Sequence, residues 1–266
     1  MEADSGHLGT PTLVRNFEAI RIKPKEALSD IHPLPIFGSQ EGLTELFDET
    51  MKAWVFKYDP VRIKERLLHP TDDSVKKLKD VRKYGIILSD HYLTIDQSQL
   101  VPENLVFFLH TLGKYNDNIG LSKRNKYADR LLGDNFLESL KSLDEMNPMS
   151  VDDFRTTISR VIGEVRVLSS HQSLIMGDFH RLRKKIRLLG NLFQVPAVRE
   201  LEGEAHQLFY QIQLISDQLG DRHDLVLQRH IHEGTSYKSQ MMAIDKPTEE
   251  EINNAVTLVE RALGIN

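Results

Sequence analysis

The chain has 266 residues, 40% hydrophobic and 27% charged, which is the balance of a globular protein with room for a substantial core. Its net charge of −5 and pI near 6.1 exclude a uniformly basic surface, so a polyanion site must be a local patch, and a general nucleic-acid coat is disfavoured. Cysteine is absent, which excludes disulfides and thiolate metal sites. No stretch approaches membrane-spanning length and the first residues carry no basic-then-apolar leader, so the chain reads as a cytoplasmic protein.

In chain order, residues 1–10 read as disordered. Residues 11–22 predict a short helix with Leu13, Phe17 and Ile20 on one face, and 24–31 another turn or two. Pro33, Pro35 and Gly38 place a loop at 32–39. Residues 40–56 predict a core-facing helix with Trp54 as an anchor, and 61–68 a short helix behind Pro60. Thr71, Asp72 and Asp73 open a helix over about 72–88, and 102–112 reads as a helix entered at Pro102 and left at Gly113. One or two helices fill 123–143. Ser150 with Asp153 is a capping box before a long helix to about 176, with Phe154, Ile158, Val161, Val165 and Leu168 inward. A further helix spans 178–193. Residues 194–196 are a break, 198–219 a helix stopped at Gly220, and 224–231 a further one. Residues 234–247 read as a polar linker, and Thr248 with Glu251 as a capping box for a terminal helix ending at Gly264. No strand pattern emerges, so the expected fold is all-α.

The helix over 178–193 organises the chain. Phe179, Leu182, Ile186, Leu189 and Phe193 recur at spacings of 3, 4, 3 and 4, a buried stripe. His180, Arg183, Lys184 and Arg187 form a second stripe roughly 130° round the helix. Five residues in 180–187 are basic and none is acidic. An echo lies at 76–83, where Lys76, Lys77, Lys79, Arg82 and Lys83 accompany a single acid, Asp80. Matching Leu78 to Leu182 pairs Lys79 with Arg183 and Lys83 with Arg187. Each basic helix precedes a similar turn: Leu112-Gly113, then Asn116-Asp117, and Leu219-Gly220, then His223-Asp224. The pattern predicts an internal duplication: an N-terminal extension over 1–39, a first helical half over 40–147 and a second over 148–266.

HRLRKKIR followed by LGDRHDL resembles the second half of a CHAD domain, the α-helical module named for its histidines, and KLKDVRK with LGKYNDNI resembles the first half. The resemblance implies two helical bundles related by pseudo-twofold symmetry, with a basic groove that binds inorganic polyphosphate without catalysis and without a cofactor. His180 matches the signature histidine, Arg183 and Arg187 the basic residues after it, and Asp224 the acid of the turn. The candidate polyphosphate-binding set is therefore His180, Arg183, Lys184, Arg187, Lys76, Lys79, Arg82 and Lys83. Arginine would grip phosphate with a planar fork and lysine with a point charge. His180 would act as a neutral or cationic donor, so that binding strengthens on acidification.

Two other functional classes fit the same residues. The basic helix is also suited to docking an acidic protein segment in an interaction scaffold. His223-Asp224 is an HD dipeptide of the kind found in metal-dependent phosphohydrolases, for which His206 and Asp245 are the remaining nominees, though spacing does not select them. Glu202 and His206 stand four apart, as a metal pair can, but have no second pair beside them.

Overall fold

The computed structural model describes residues 12–15, 19–24, 28–118, 123–133, 135–141, 143, 147–233, 236 and 239–265. The disorder expected for 1–10 lies outside these residues, as do 25–27 and parts of the expected linker after 234. The described chain is mostly helical and falls into two compact units. Unit 1 comprises Met1–Arg15 and Thr44–Met149, and unit 2 comprises Asn16–Leu43 and Ser150–Asn266. Residues 16–43, most of the expected N-terminal extension, thus group with the second half of the sequence.

In unit 1 the helices are α1 (Thr12–Arg15), α2 (Gln40–Lys57, its first turn grouped with unit 2), α3 (Pro60–Leu68), α4 (Asp72–Thr94), α5 (Glu103–Asp117), α6 (Lys123–Leu132) and α7 (Phe136–Ser139). Local chemistry sets their starts. The Asp59 carboxylate accepts from the Val61 and Arg62 amides ahead of α3, and the Thr71 hydroxyl accepts from the Ser74 amide ahead of α4. Trp54 is the expected anchor. Its ring stacks 4.6 Å from Tyr58, and Phe108 meets Trp54 edge-on at 6.0 Å. α5 does not stop at Gly113 but continues to Asp117, and Tyr115 and Asn116 in that last turn are buried. Burial of this turn outweighs the weak helix propensity of one glycine, which costs about 1 kcal/mol.

Unit 2 contains α8 (Val151–Ser169), β1 (Ser173–Ile175), α9 (Met176–Leu192), α10 (Gln194–Arg199), α11 (Glu204–Glu233), β2 (Met241–Ala243) and α12 (Lys246–Ala262). The Ser150–Asp153 capping box forms, with the Ser150 hydroxyl accepting the Asp153 amide and donating to its carboxylate at 2.7 Å. Several expectations are corrected. α8 ends at Ser169, and Ser173–Ile175 pairs antiparallel with Met241–Ala243, inside the expected linker. Three-residue strands are too short for an alternation pattern to register in sequence. Residues 194–196 are helical, and α11 runs unbroken for 30 residues through Gly220. The cap of α12 is Asp245, whose carboxylate accepts the Thr248 amide at 2.9 Å, rather than Thr248 itself. Gly264, with φ +62°, closes the chain after α12 in the left-handed conformation that suits glycine.

The core of unit 2 forms around the stripe read from sequence. Phe179, Leu182, Ile186, Leu189 and Phe193 are each at most 3% exposed. Phe193 meets Phe37 edge-on at 5.3 Å, and Phe37 stacks on Phe154 at 5.9 Å. Phe37 comes from a 3-10 turn at Pro35–Phe37, which explains why residues before 44 belong to this unit. The strap is also tied by polar bonds. His206 accepts the Glu202 amide on Nδ1, so its Nε2 donates to the Ile20 carbonyl at 3.1 Å, and Gln211 donates to the Leu28 carbonyl. No described helix is long and apolar enough to cross a membrane.

Removing a packed side chain from the stripe leaves a cavity that the surrounding helices fill only in part. Leu182→Ala is expected to lower unfolding free energy by about 2–5 kcal/mol in urea titrations. A loss below about 1 kcal/mol would show that the stripe is not core.

Candidate functional site

The two basic helices are built alike. α4 packs on α5 in unit 1, and α9 packs on α11 in unit 2. Both pairs are antiparallel, because residues further along α4 and α9 meet residues further back on α5 and α11. In unit 1 the Arg82 guanidinium lies over Gly113. A Cβ on that glycine would stand 2.9 Å from Nη2, 3.1 Å from Nε and 3.2 Å from Cζ. Arg82 Nε donates to the Leu109 carbonyl at 3.1 Å, which sets the plane of the group. In unit 2 the Arg183 guanidinium lies over Gly220 in the same way, with corresponding distances of 2.9 Å to Nη2, 3.2 Å to Cζ and 3.3 Å to Nε.

Sequence matching paired Lys79 with Arg183, whereas the arginine that lies over a helix glycine in unit 1 is Arg82, three residues further along. Both glycines were read from sequence as helix ends, yet both lie inside helices and receive an arginine. The signal for this role was present in the sequence: a Leu-Gly recurring after each basic helix. Three residues beyond each glycine stands a buried polar side chain, Asn116 in unit 1 and His223 in unit 2. Sequence reasoning did not place either in the candidate set.

The remaining candidates divide by exposure. Lys76, Lys79 and Lys184 are exposed, while Lys83, His180 and Arg187 are half-buried beside their cores. Acids from outside 180–187 temper the α9 cluster. Arg181 pairs with Asp178 at 3.3 Å, and Lys185 pairs with Glu164 of α8 at 3.2 Å. In α4, Lys77 pairs with Asp73 at 2.6 Å. None of these three paired cations belongs to the candidate set.

The His180 ring lies 5.2 Å from the His223 ring, and its Nδ1 is buried with no hydrogen-bond partner among the described residues. His223 Nδ1 is 3.1 Å from Asp224 Oδ1. Burial first, then Lys184, His223, Arg183 and Arg187, lower the pKa of His180 to about 4. His180 is thus neutral near pH 7, and a positive charge there is opposed by its surroundings rather than ready-made.

The metal-site nominees are engaged otherwise. His206 is buried between the Glu202 amide and the Ile20 carbonyl, and Glu202 lies outside α11 with φ +69°. Asp245 caps α12 and meets Arg222 at 3.2 Å. Among the described residues, no three His, Asp or Glu side chains gather as metal ligands. Comparison with protein-family models, curated proteins and solved structures returns no match to this chain.

The depressed pKa of His180 has a consequence for stability. The unfolded chain takes up a proton near pH 6.5 and the folded chain only near 4, so the contribution of neutral His180 is complete above 6.5 and lost as pH falls towards 4. His180→Gln is expected to flatten the pH dependence of unfolding in that window, as read by urea titration at steps between pH 7 and 4. An unchanged slope would remove His180 as its source.

Proposed function

We propose that the chain is a non-enzymatic binder of inorganic polyphosphate or a similar polyanion, built by duplication and related to CHAD domains. The observation that carries this reading is the recurrence, once in each unit, of an arginine laid over a helix glycine on a helix rich in further cations. A guanidinium held in one plane offers paired N–H donors with little ordering entropy left to lose, which suits phosphate oxygens. Arg183, Arg187 and Lys184 with His180 would serve in unit 2, and Arg82, Lys79, Lys83 and Lys76 in unit 1. Asn116 and His223, set alike behind their glycines, support the duplication. Because His180 is neutral near pH 7, it enters the site as an uncharged hydrogen-bonding group, and an arriving anion would raise its proton affinity.

A second reading has its own observation. Unit 1 carries a groove of about 490 Å³ lined by Phe56, Lys57, Asp59, Arg62, Arg66, Lys77, Asp80 and Val81, four cations to two acids. This mixture of exposed aromatic surface and cations suits an acidic protein segment, as a scaffold would bind.

Titration calorimetry with polyphosphate at low salt tests the first reading. Wild-type protein is expected to bind at low-micromolar or weaker affinity, falling steeply with salt as condensed counterions are released. Arg183→Ala and Arg187→Ala should each weaken binding about tenfold and flatten the salt dependence, while Lys64→Ala, outside both stripes, should leave both unchanged. Absence of heat with wild-type protein at low salt would end the polyphosphate reading and leave the scaffold.

A further inference from the structure

We propose that Gly113 and Gly220 are positioning residues for anion binding. Their missing side chains form the seats that hold Arg82 and Arg183 in a binding-competent plane. The inference rests on the polyanion reading above and adds to it two residues that carry no donor of their own.

The argument begins from a cost. Glycine inside a helix is unfavourable relative to alanine, and both glycines lie within helices, in α5 and α11. Neither has a positive φ, so backbone conformation does not require glycine at either position. What a Cβ would meet at each is an arginine from the facing basic helix: Nη2 of Arg82 or of Arg183, each at 2.9 Å. Carbon and nitrogen do not pack that closely, so any larger residue must displace the guanidinium. The displaced group is the far end of a flexible side chain, and the helix can therefore accept alanine while the arginine leaves its seat. The two sites agree in the atoms that come close, although their surroundings differ. Unit 1 has the Leu109 carbonyl holding Arg82 Nε, and unit 2 has the His180–His223 ring pair near Arg183. Gly163 in α8 provides the contrast. Nothing lies within 4 Å of where its Cβ would be.

The experiment compares Gly113→Ala, Gly220→Ala and Gly163→Ala by thermal melting and by polyphosphate calorimetry at low salt. All three variants are expected to melt at or above the wild-type temperature, because alanine is the better helix former. Gly113→Ala and Gly220→Ala should nevertheless bind about tenfold more weakly, as if the arginine had been removed, and Gly163→Ala should bind as wild type. In an Arg183→Ala background, Gly220→Ala should produce no further loss, since the two changes act on one contact. Wild-type binding with unchanged affinity in Gly113→Ala and Gly220→Ala overturns the positioning role and leaves the polyanion reading standing. A lowered melting temperature with additive losses in the double variant also overturns it, by assigning the glycines to helix packing. Absence of binding by wild-type protein overturns the polyanion reading itself.

Discussion

A helix dense in arginine and lysine can join a hydrophobic core only if its apolar stripe is buried while its charges stay in reach of water. Everything in unit 2 is arranged around this constraint on α9. Its stripe from Phe179 to Phe193 is taken into the core, and Phe37 and Phe154 close over the far end. The charges are treated in three ways. Arg181 and Lys185 are neutralised by acids, Arg183 is folded down over a neighbouring helix, and Lys184 is left exposed. Ion pairs at such surface positions contribute little stability, so their main effect is on the local field.

The arginine seat links that packing to chemistry. A guanidinium is planar in itself, and fixing its orientation lowers the ordering cost of using it as a fork; a helix glycine leaves the room in which it lies. In unit 1 the Leu109 carbonyl fixes that orientation. The arrangement resolves a conflict between local and tertiary preference. Glycine weakens α5 and α11 locally, but the burial of Leu112, Tyr115, Leu219 and their neighbours keeps both helices continuous. His180 shows the same competition in electrostatic form. It stands beside three cations and a second ring, and in the folded chain it is held neutral.

The strap from Ile20 to Phe37 illustrates how far tertiary contacts reach past sequence order. Its prolines place a loop at 32–39, which holds the 3-10 turn Pro35–Phe37, while the helical turns expected over 24–31 do not form at the described residues 24 and 28–31. Yet it is bound into unit 2 by Phe37 in the core, by hydrogen bonds from His206 and Gln211, and by the Asp30–Arg261 pair at 2.6 Å. His206, which looked from its spacing like half of a metal pair, is a buried hydrogen-bonding post for this strap. A histidine on the buried side of a helix satisfies both ring nitrogens wherever it can, and here backbone groups do so.

The sequence by itself determined the helical class, most helix starts, the buried stripe of α9 and the candidate cations, because these depend on periodicity and capping within a few residues. It also marked Leu-Gly as a recurring pair, without its meaning. Tertiary structure decided where α5 and α11 end, because burial of distant side chains overrode local glycine propensity. It decided that Arg82, rather than Lys79, is the side chain lying over a helix glycine in unit 1, because that depends on which side chain crosses to the facing helix. It decided which cations are neutralised, since Glu164 reaches Lys185 from another helix. The pairing of Ser173–Ile175 with Met241–Ala243 was likewise beyond local reading, because strands so short are defined only by their partner.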